Sequence, residues 1–200
     1  MKKAKILSLI LALAVVVCGA AACTDSGDGG KTDDNVLSRF MQKADYSERN
    51  GVKREWNKVS SYFINYGQFQ EEMLKYDVAI IGRGAMTADD MQKFKDAGVW
   101  TIEYITLGED YSLNVGDGLG PGGYASYYLY DEAGLAIPNG DWGSYYTDPA
   151  SPAWKQIVFK EIRRIIASGA DGIFMDTVDS VDAHPETLNG MLNLIKSIRE

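Results

Sequence analysis

The sequence predicts an α/β chain of (β/α)8 TIM-barrel type, with only about the N-terminal half of the barrel present. Three observations predict it. Four short runs rich in apolar and β-branched residues alternate with segments carrying helical spacing or helix caps, the pattern of a parallel sheet with right-handed crossovers. No GxGxxG or Walker-type glycine loop follows any run, which removes the best support for a nucleotide-binding doubly wound sheet. A full barrel takes about 250 residues, whereas this chain has 200 and about half the units. The last helix reaches Glu200 without a C-cap glycine, so the N-terminal part of a longer barrel is expected. A sheet that closes by association or stays open is the alternative.

The elements follow in order. "SYFINYG" (61–67) is aromatic and β-branched and closes on Gly67, the mark of a first strand. "FQEEMLKY" follows as a short helix. "DVAIIGR" (77–83) is a continuous apolar run, as found where both faces of a strand are covered. Thr87 then caps a helix, with Asp90 in a capping-box position, Met91 and Phe94 on one face and Gly98 as the stop. "VWTIEYITLGE" (99–109) is the third strand. Between Asp110 and Asp148 lies a glycine- and tyrosine-rich segment without helical period, too long for a mere connector. Ser151 is the expected N-cap of the next helix, with Pro152 at its first position and Gly169 at its end. Trp154, Val158, Ile162 and Ile165 form its apolar face. "DGIFMD" (171–176) is the fourth strand, and Pro185 opens a last helix with a stripe of Leu188, Met191, Leu192 and Ile195.

The segment before the barrel reads differently. Lys2, Lys3 and Lys5 precede an apolar run, and small residues lead into Cys23, which makes residues 1–22 a secretory signal. The junction "GAAAC" resembles a bacterial lipoprotein lipobox, in which Cys23 carries lipid; simple cleavage after Ala22 is the alternative. Residues 23–55 then form a flexible tether and lead-in, and 56–200 the barrel domain. The expected localisation is export, with a lipid anchor in the bacterial cell membrane or surface. Losing the signal removes three lysines and no acid, so the formal charge moves from −8 to −11. Such a surface excludes nucleic acid as a natural partner and favours a cationic or neutral one.

In a βα barrel the working residues project from the C-terminal strand ends. Alternation puts Gly172, Phe174 and Asp176 on one face, so Asp176 stands in the barrel mouth above Phe174. Asn65, Tyr66, Arg83 and residues 106–109 reach the same rim. Each has a plainer reading: Asp176 as a turn cap, Asp179 or Asp182 as a helix lead-in, Glu109 as part of a "GED" turn, Arg83 as a neutraliser of nearby acids. Glu103, mid-strand, is expected to pair with a helix charge, and His184 to open a helix without a catalytic task. With one histidine and no cysteine beyond Cys23, a zinc site or a Cys/His nucleophile has no basis, and no metal or other cofactor is expected. The long segment crowds Tyr124, Tyr127, Tyr128, Tyr130, Trp142, Tyr145 and Tyr146 among glycines. Such rings stack on sugar faces or pin the loop to the barrel, and Trp142 is the one expected at a ligand.

"YITLGE", "WGSYYTDPASPAW" and "GADGIFMDTVDS", in that order at these strand ends, resemble the endo-α-1,4-polygalactosaminidase family of TIM-barrel glycoside hydrolases, family 114. The resemblance covers roughly residues 60–180. It implies that Asp176 is the catalytic aspartate of the fourth strand and that the family's second catalytic group, a glutamate on a later strand, falls beyond Glu200. Thr106 stands where the family commonly has serine. Glu109 is the only local candidate for the second carboxyl group that glycoside cleavage needs. Tyr66, Arg83, Trp142, Tyr145, Asp148 and Asp179 are the expected substrate-binding residues, with Arg83 beside Asp176 holding it ionised. The implied function is a surface-anchored hydrolase of an amino-sugar-containing polysaccharide. A non-catalytic carbohydrate-binding lipoprotein and a structural half-barrel that dimerises are the alternatives.

Overall fold

In a computed structural model of the chain, the described residues are 46–49, 52–55, 58–115 and 120–199. The signal at 1–22, the lipidation candidate Cys23 and most of the 23–55 tether lie outside them. Within the expected lead-in, β1 (Tyr46–Arg49) and β2 (Val52–Glu55) pair antiparallel, Arg49 opposite Val52. The sequence between them is Asn50-Gly51, the dipeptide favoured at two-residue hairpin turns. Ordered pairing thus begins before the expected boundary at residue 56.

Four strands carry the domain: β3 (Tyr62–Asn65), β4 (Val78–Ile81), β5 (Trp100–Thr106) and, after three short strands, β9 (Gly172–Asp176). They form one parallel sheet in the order β3-β4-β5-β9. A 3₁₀ turn over Glu71–Lys75 replaces the short helix expected after β3. The first α-helix, α1 (Ala88–Ala97), starts at a complete capping box: Asp90 N–H donates to Thr87 Oγ1 at 3.2 Å and Thr87 N–H to Asp90 Oδ2 at 3.0 Å. It stops at Gly98, which takes a φ of 71° that a side chain would oppose. The second helix, α2 (Pro152–Ser168), begins with its proline in the first turn and ends at Gly169. Ser151 does not cap it through its side chain; Asp148 Oδ1 instead accepts the Ala150 N–H at 2.9 Å just ahead of it.

Between β5 and α2 the glycine-rich segment builds a second sheet from β6 (Glu109–Asp110), β7 (Pro138–Asn139) and β8 (Ser144–Tyr146), antiparallel in the order β6-β8-β7. Asp110 Oδ2 pins this excursion, accepting hydrogen bonds from the hydroxyls of Tyr127 at 2.8 Å and Tyr128 at 3.0 Å. These two rings are buried against the main core, so part of the aromatic cluster is structural. After β9 come the short helix α3 (Ser180–Ala183) and the last helix α4 (Leu188–Arg199). The expected stripe on α4 is misphased: Leu188 and Leu192 are 47% and 55% exposed, while Met191, Leu194 and Ile198 are buried. A 3₁₀ turn over Pro185–Thr187 precedes α4, and Gly190 packs against Ala150.

Strand alternation divides the sheet's side chains into two cores. Ala79, Ile81, Ile105, Ile173 and Met175 face the helices and pack with Phe94, Trp154, Val158, Ile162 and Ile165. Val78, Ile80, Trp100 and Ile102 form the other cluster with Phe174, on the side that is the interior in a barrel. Each fully buried aliphatic side chain stabilises by roughly 1.5–3 kcal/mol relative to exposure. Glu103 is the exception on the helix side. Its carboxylate accepts from Arg164, as expected of a mid-strand acid, and from the Gly84 N–H at 2.6 Å. Among the described residues, no helix is long and apolar enough to cross a membrane.

Candidate active site

The register of the central sheet sets Asp176 level with Thr106 and Phe174 level with Tyr104. All four point to the inner side, at the C-terminal end of the strands. There a cavity of about 730 Å³ opens, walled by these strand ends, the small sheet and the turn after β9. Asp176, half-buried, lines it as the alternation predicts. Phe174 lies beneath with its ring 6.5 Å from that of Tyr104.

A group of phenols surrounds Asp176. Tyr66 meets Tyr104 edge-on at 5.3 Å, and the hydroxyls of Tyr104 and Tyr111 are 3.3 Å apart. Burial, then hydrogen bonding to Tyr111 and the charge of Asp176, push the Tyr104 phenol well above its ordinary value. Burial and the Asp176 charge move Tyr66 the same way. A protonated phenol carries one O–H donor, so both offer a hydrogen bond to a carboxylate or a ligand hydroxyl.

Glu109 opens β6 and lines the same cavity while only 4% exposed. Its two oxygens are both engaged: Asn139 Nδ2 donates to one at 3.0 Å and Ser144 Oγ to the other at 2.5 Å. The carboxylate thereby ties β6 to the ends of β7 and β8. Between them the chain turns through Gly143 (φ 69°) and presents Trp142, 72% exposed, at the cavity rim.

The other expected site residues divide between the cavity wall and positions outside it. Arg83 lines the cavity but does not serve Asp176; it grips Glu161 on α2 through two hydrogen bonds of 2.7 and 3.0 Å. Burial alone raises the Glu161 carboxyl, but the hydrogen bonds and charges of Arg164 and Arg83 outweigh it and hold the group below its usual range. A bidentate partner at that distance takes the guanidinium. Tyr145 and Asp148 are absent from the cavity wall. Tyr145 packs edge-on against Tyr128 at 6.1 Å, and Asp148 makes the turn that launches α2. Asp179 sits at the N-terminus of α3 without a side-chain capping bond, and lines the cavity together with Asp182. His184 hydrogen-bonds Glu186 at 3.1 Å and packs edge-on against the cavity-wall ring of Tyr146, with centroids 4.4 Å apart, without itself lining the cavity.

Sequence reading missed Tyr104, Tyr111 and Thr177, and named Tyr146 only as a member of the aromatic cluster. Tyr104 was accessible through parity, since it stands two residues before Thr106 on the same face of β5. Tyr146 takes the cavity position expected of Tyr145, because β8 spans only three residues and shows no alternation to fix its phase. Among the described residues no group of three acids, histidines or cysteines is placed to hold a metal ion.

Comparison with known proteins places this geometry in context. The sequence profile of glycoside-hydrolase family GH114 matches residues 41–198. An uncharacterized protein of Thermotoga maritima is 26% identical over 122 residues, covering 60% of this chain and 35% of that one. The glycoside hydrolase domain of PelA from Pseudomonas aeruginosa superposes with a TM-score of 0.54 at 18% identity, covering 70% of this chain and 55% of the domain. Ega3 of Aspergillus fumigatus, solved in complex with galactosamine, gives a TM-score of 0.54 at 15% identity, covering 78% of this chain and 59% of that one. The chain therefore spans about a third of the length of that Thermotoga maritima relative and just over half of these two barrels.

Proposed function

The chain belongs to glycoside-hydrolase family GH114, and we propose that its cleft acts on a polysaccharide containing amino sugars, with Asp176 as one of the two reacting carboxyl groups. The observation that carries this reading is the position of Asp176: the end of an apolar strand, in a cavity walled by Tyr66, Tyr104, Tyr111, Tyr146 and Trp142. Rings of this kind cover the apolar faces of a pyranose while their hydroxyls bond its rim. Glycoside cleavage requires one carboxyl to protonate the leaving oxygen and another to act as nucleophile or as base to water. Asp176 supplies one of these. The cavity lining adds a charge preference, since it holds Glu109, Asp110, Glu161, Asp176, Asp179 and Asp182 against Arg83 as the single cationic side chain among the described residues of the wall. A protonated amine on the sugar matches that field. The galactosamine bound to Ega3 is of this chemical class.

Replacing Asp176 by asparagine tests the reading. With soluble α-1,4-linked galactosamine oligosaccharides, release of reducing ends falls by about 1,000-fold or more while binding, followed by calorimetry, stays within about threefold. Turnover that survives the substitution refutes it. One observation favours a second reading, a carbohydrate-binding lipoprotein: the only local candidate for the second carboxylate, Glu109, has both oxygens held by neutral donors. That reading predicts binding by the unaltered chain without any reducing ends released. Export and anchoring through Cys23 complete the proposal, and a mature N-terminus that lacks lipid by mass spectrometry refutes that part.

A further inference from the structure

Thr177, directly after Asp176, has a φ of 58°, and is the only non-glycine among the described residues in the left-handed region. A β-branched side chain is poorly suited to that backbone, so something must hold it there. Its hydroxyl oxygen accepts the Leu107 N–H at 3.0 Å and the Gly108 N–H at 2.9 Å, both from the turn that follows β5. Thr106 Oγ1 and the Asp176 carbonyl oxygen each lie 2.7 Å away as partners for its single proton. The same Asp176 carbonyl accepts a second bond from the Leu107 N–H at 3.1 Å. The fit leaves no slack. A Cβ on Gly108 would collide with the Thr177 carbonyl oxygen and with Ser180 Oγ, and Thr177 itself is 8% exposed.

We propose that Thr177 is a positioning residue for Asp176. The left-handed turn, locked by its hydroxyl to the β5 end, fixes the peptide plane that follows Asp176. With that plane fixed, the Cα–Cβ direction of Asp176 is fixed as well, and the carboxyl is aimed into the cavity. This also welds two strand ends into one rim, so the carboxyl is held relative to Tyr104 on β5 and not merely relative to its own strand. A plain chain reversal explains the positive φ but not the hydroxyl, because glycine reverses a chain better than threonine.

The inference rests on Asp176 being the reacting carboxyl, and its test keeps the two apart. Thr177→Ser retains the hydroxyl, Thr177→Val retains the branching without it, and Thr177→Gly relieves the backbone without it. In the full chain, the Ser variant keeps kcat within about threefold, while the Val and Gly variants lose about 100-fold in kcat with KM nearly unchanged, as expected of a carboxyl displaced by about an ångström. The carbon-13 resonance of the Asp176 carboxyl moves in the Val and Gly variants and stays in the Ser variant. A Gly variant with the original kcat and resonance overturns the inference, as does a Ser variant as impaired as Gly. If the unaltered chain turns over no substrate, hydrolysis by these 200 residues fails, and the Asp176 resonance alone decides the positioning: moved in Gly and retained in Ser supports it, unmoved in Gly overturns it. A Val variant that does not fold leaves Gly to make the decision.

Discussion

Glu109 shows how one buried carboxylate can be a joint and a reactant candidate at once. Its two neutral partners, Asn139 and Ser144, hold the hairpin that presents Trp142, so the acid shapes the cleft whether or not it exchanges a proton. Substitution separates the roles. Glu109→Gln retains an acceptor for Asn139, and the Ser144 hydroxyl can rotate to accept from the new amide. Thermal unfolding is then expected within a few degrees of the original, whereas Glu109→Ala strands two buried donors at roughly 1–3 kcal/mol. If the Gln variant loses turnover while keeping its melting temperature, Glu109 reacts; if it keeps both, the partner of Asp176 lies elsewhere. At this scale the sequence revealed Asp176 and Trp142, because a strand end and a Trp-Gly turn fix where a side chain goes. It put Tyr145 on the cavity wall, and it named Asp176 and not Glu161 as the partner of Arg83. A one-residue slip in a three-residue strand exchanges faces, and the ion pair of Arg83 with Glu161 joins residues far apart in the chain, with nothing in the spacing to announce it.

Secondary-structure elements here are fastened at their N-terminal ends by aspartates that precede strands. Asp77, just before β4, accepts four hydrogen bonds from the amides and hydroxyls of Ser60 and Ser61, at 2.9–3.0 Å, where the chain enters β3. Asp171, just before β9, accepts the Thr101 N–H at 2.7 Å and its hydroxyl at 3.0 Å at the start of β5. The barrel's working face is thus left to the opposite end of the strands. The hydrogen bonds from the backbone and side chain of Ser60, then from Ser61, hold the Asp77 carboxyl at about 2. A carboxyl depressed in the folded state stabilises above its unfolded pKa and loses that contribution as pH falls through the folded one. Asp77→Ala is therefore expected to cost roughly 1 kcal/mol at pH 7, discounted for solvent access, and progressively less between about pH 4 and pH 2. Urea unfolding of both proteins across that window checks it; a difference independent of pH rules the ionised carboxyl out as its source. These elements were legible because caps and stops are local: Thr87 with Asp90, Gly98 and Gly169 behave as their positions demand. The second sheet was not, since strands of two and three residues carry no period.

Over the whole molecule, four parallel strands in sequential order make half of an eight-stranded barrel sheet, and this much followed from the spacing of apolar runs. The inner cluster of Val78, Ile80, Trp100 and Ile102 forms a floor, and acids gather above it. Formal net charge is −8 over the sequence, so the long-range field and the cleft have the same sign. Two consequences follow for a ligand. A cationic oligosaccharide gains from both, and the gain is screened by salt; a neutral analogue of the same shape depends on ring stacking and hydrogen bonds alone. Binding of a galactosamine oligosaccharide at pH 6, where its amines are protonated, is expected to weaken about fivefold or more between about 20 mM and 500 mM sodium chloride. Its N-acetylated counterpart is expected to change by less than about twofold over the same range, because burial against Trp142 and the tyrosines carries no net charge. Calorimetric titration of both ligands at the two salt concentrations separates the contributions. Equal insensitivity of the two removes electrostatic selection from the account of the cleft, and leaves its acids to the joints and turns they already hold.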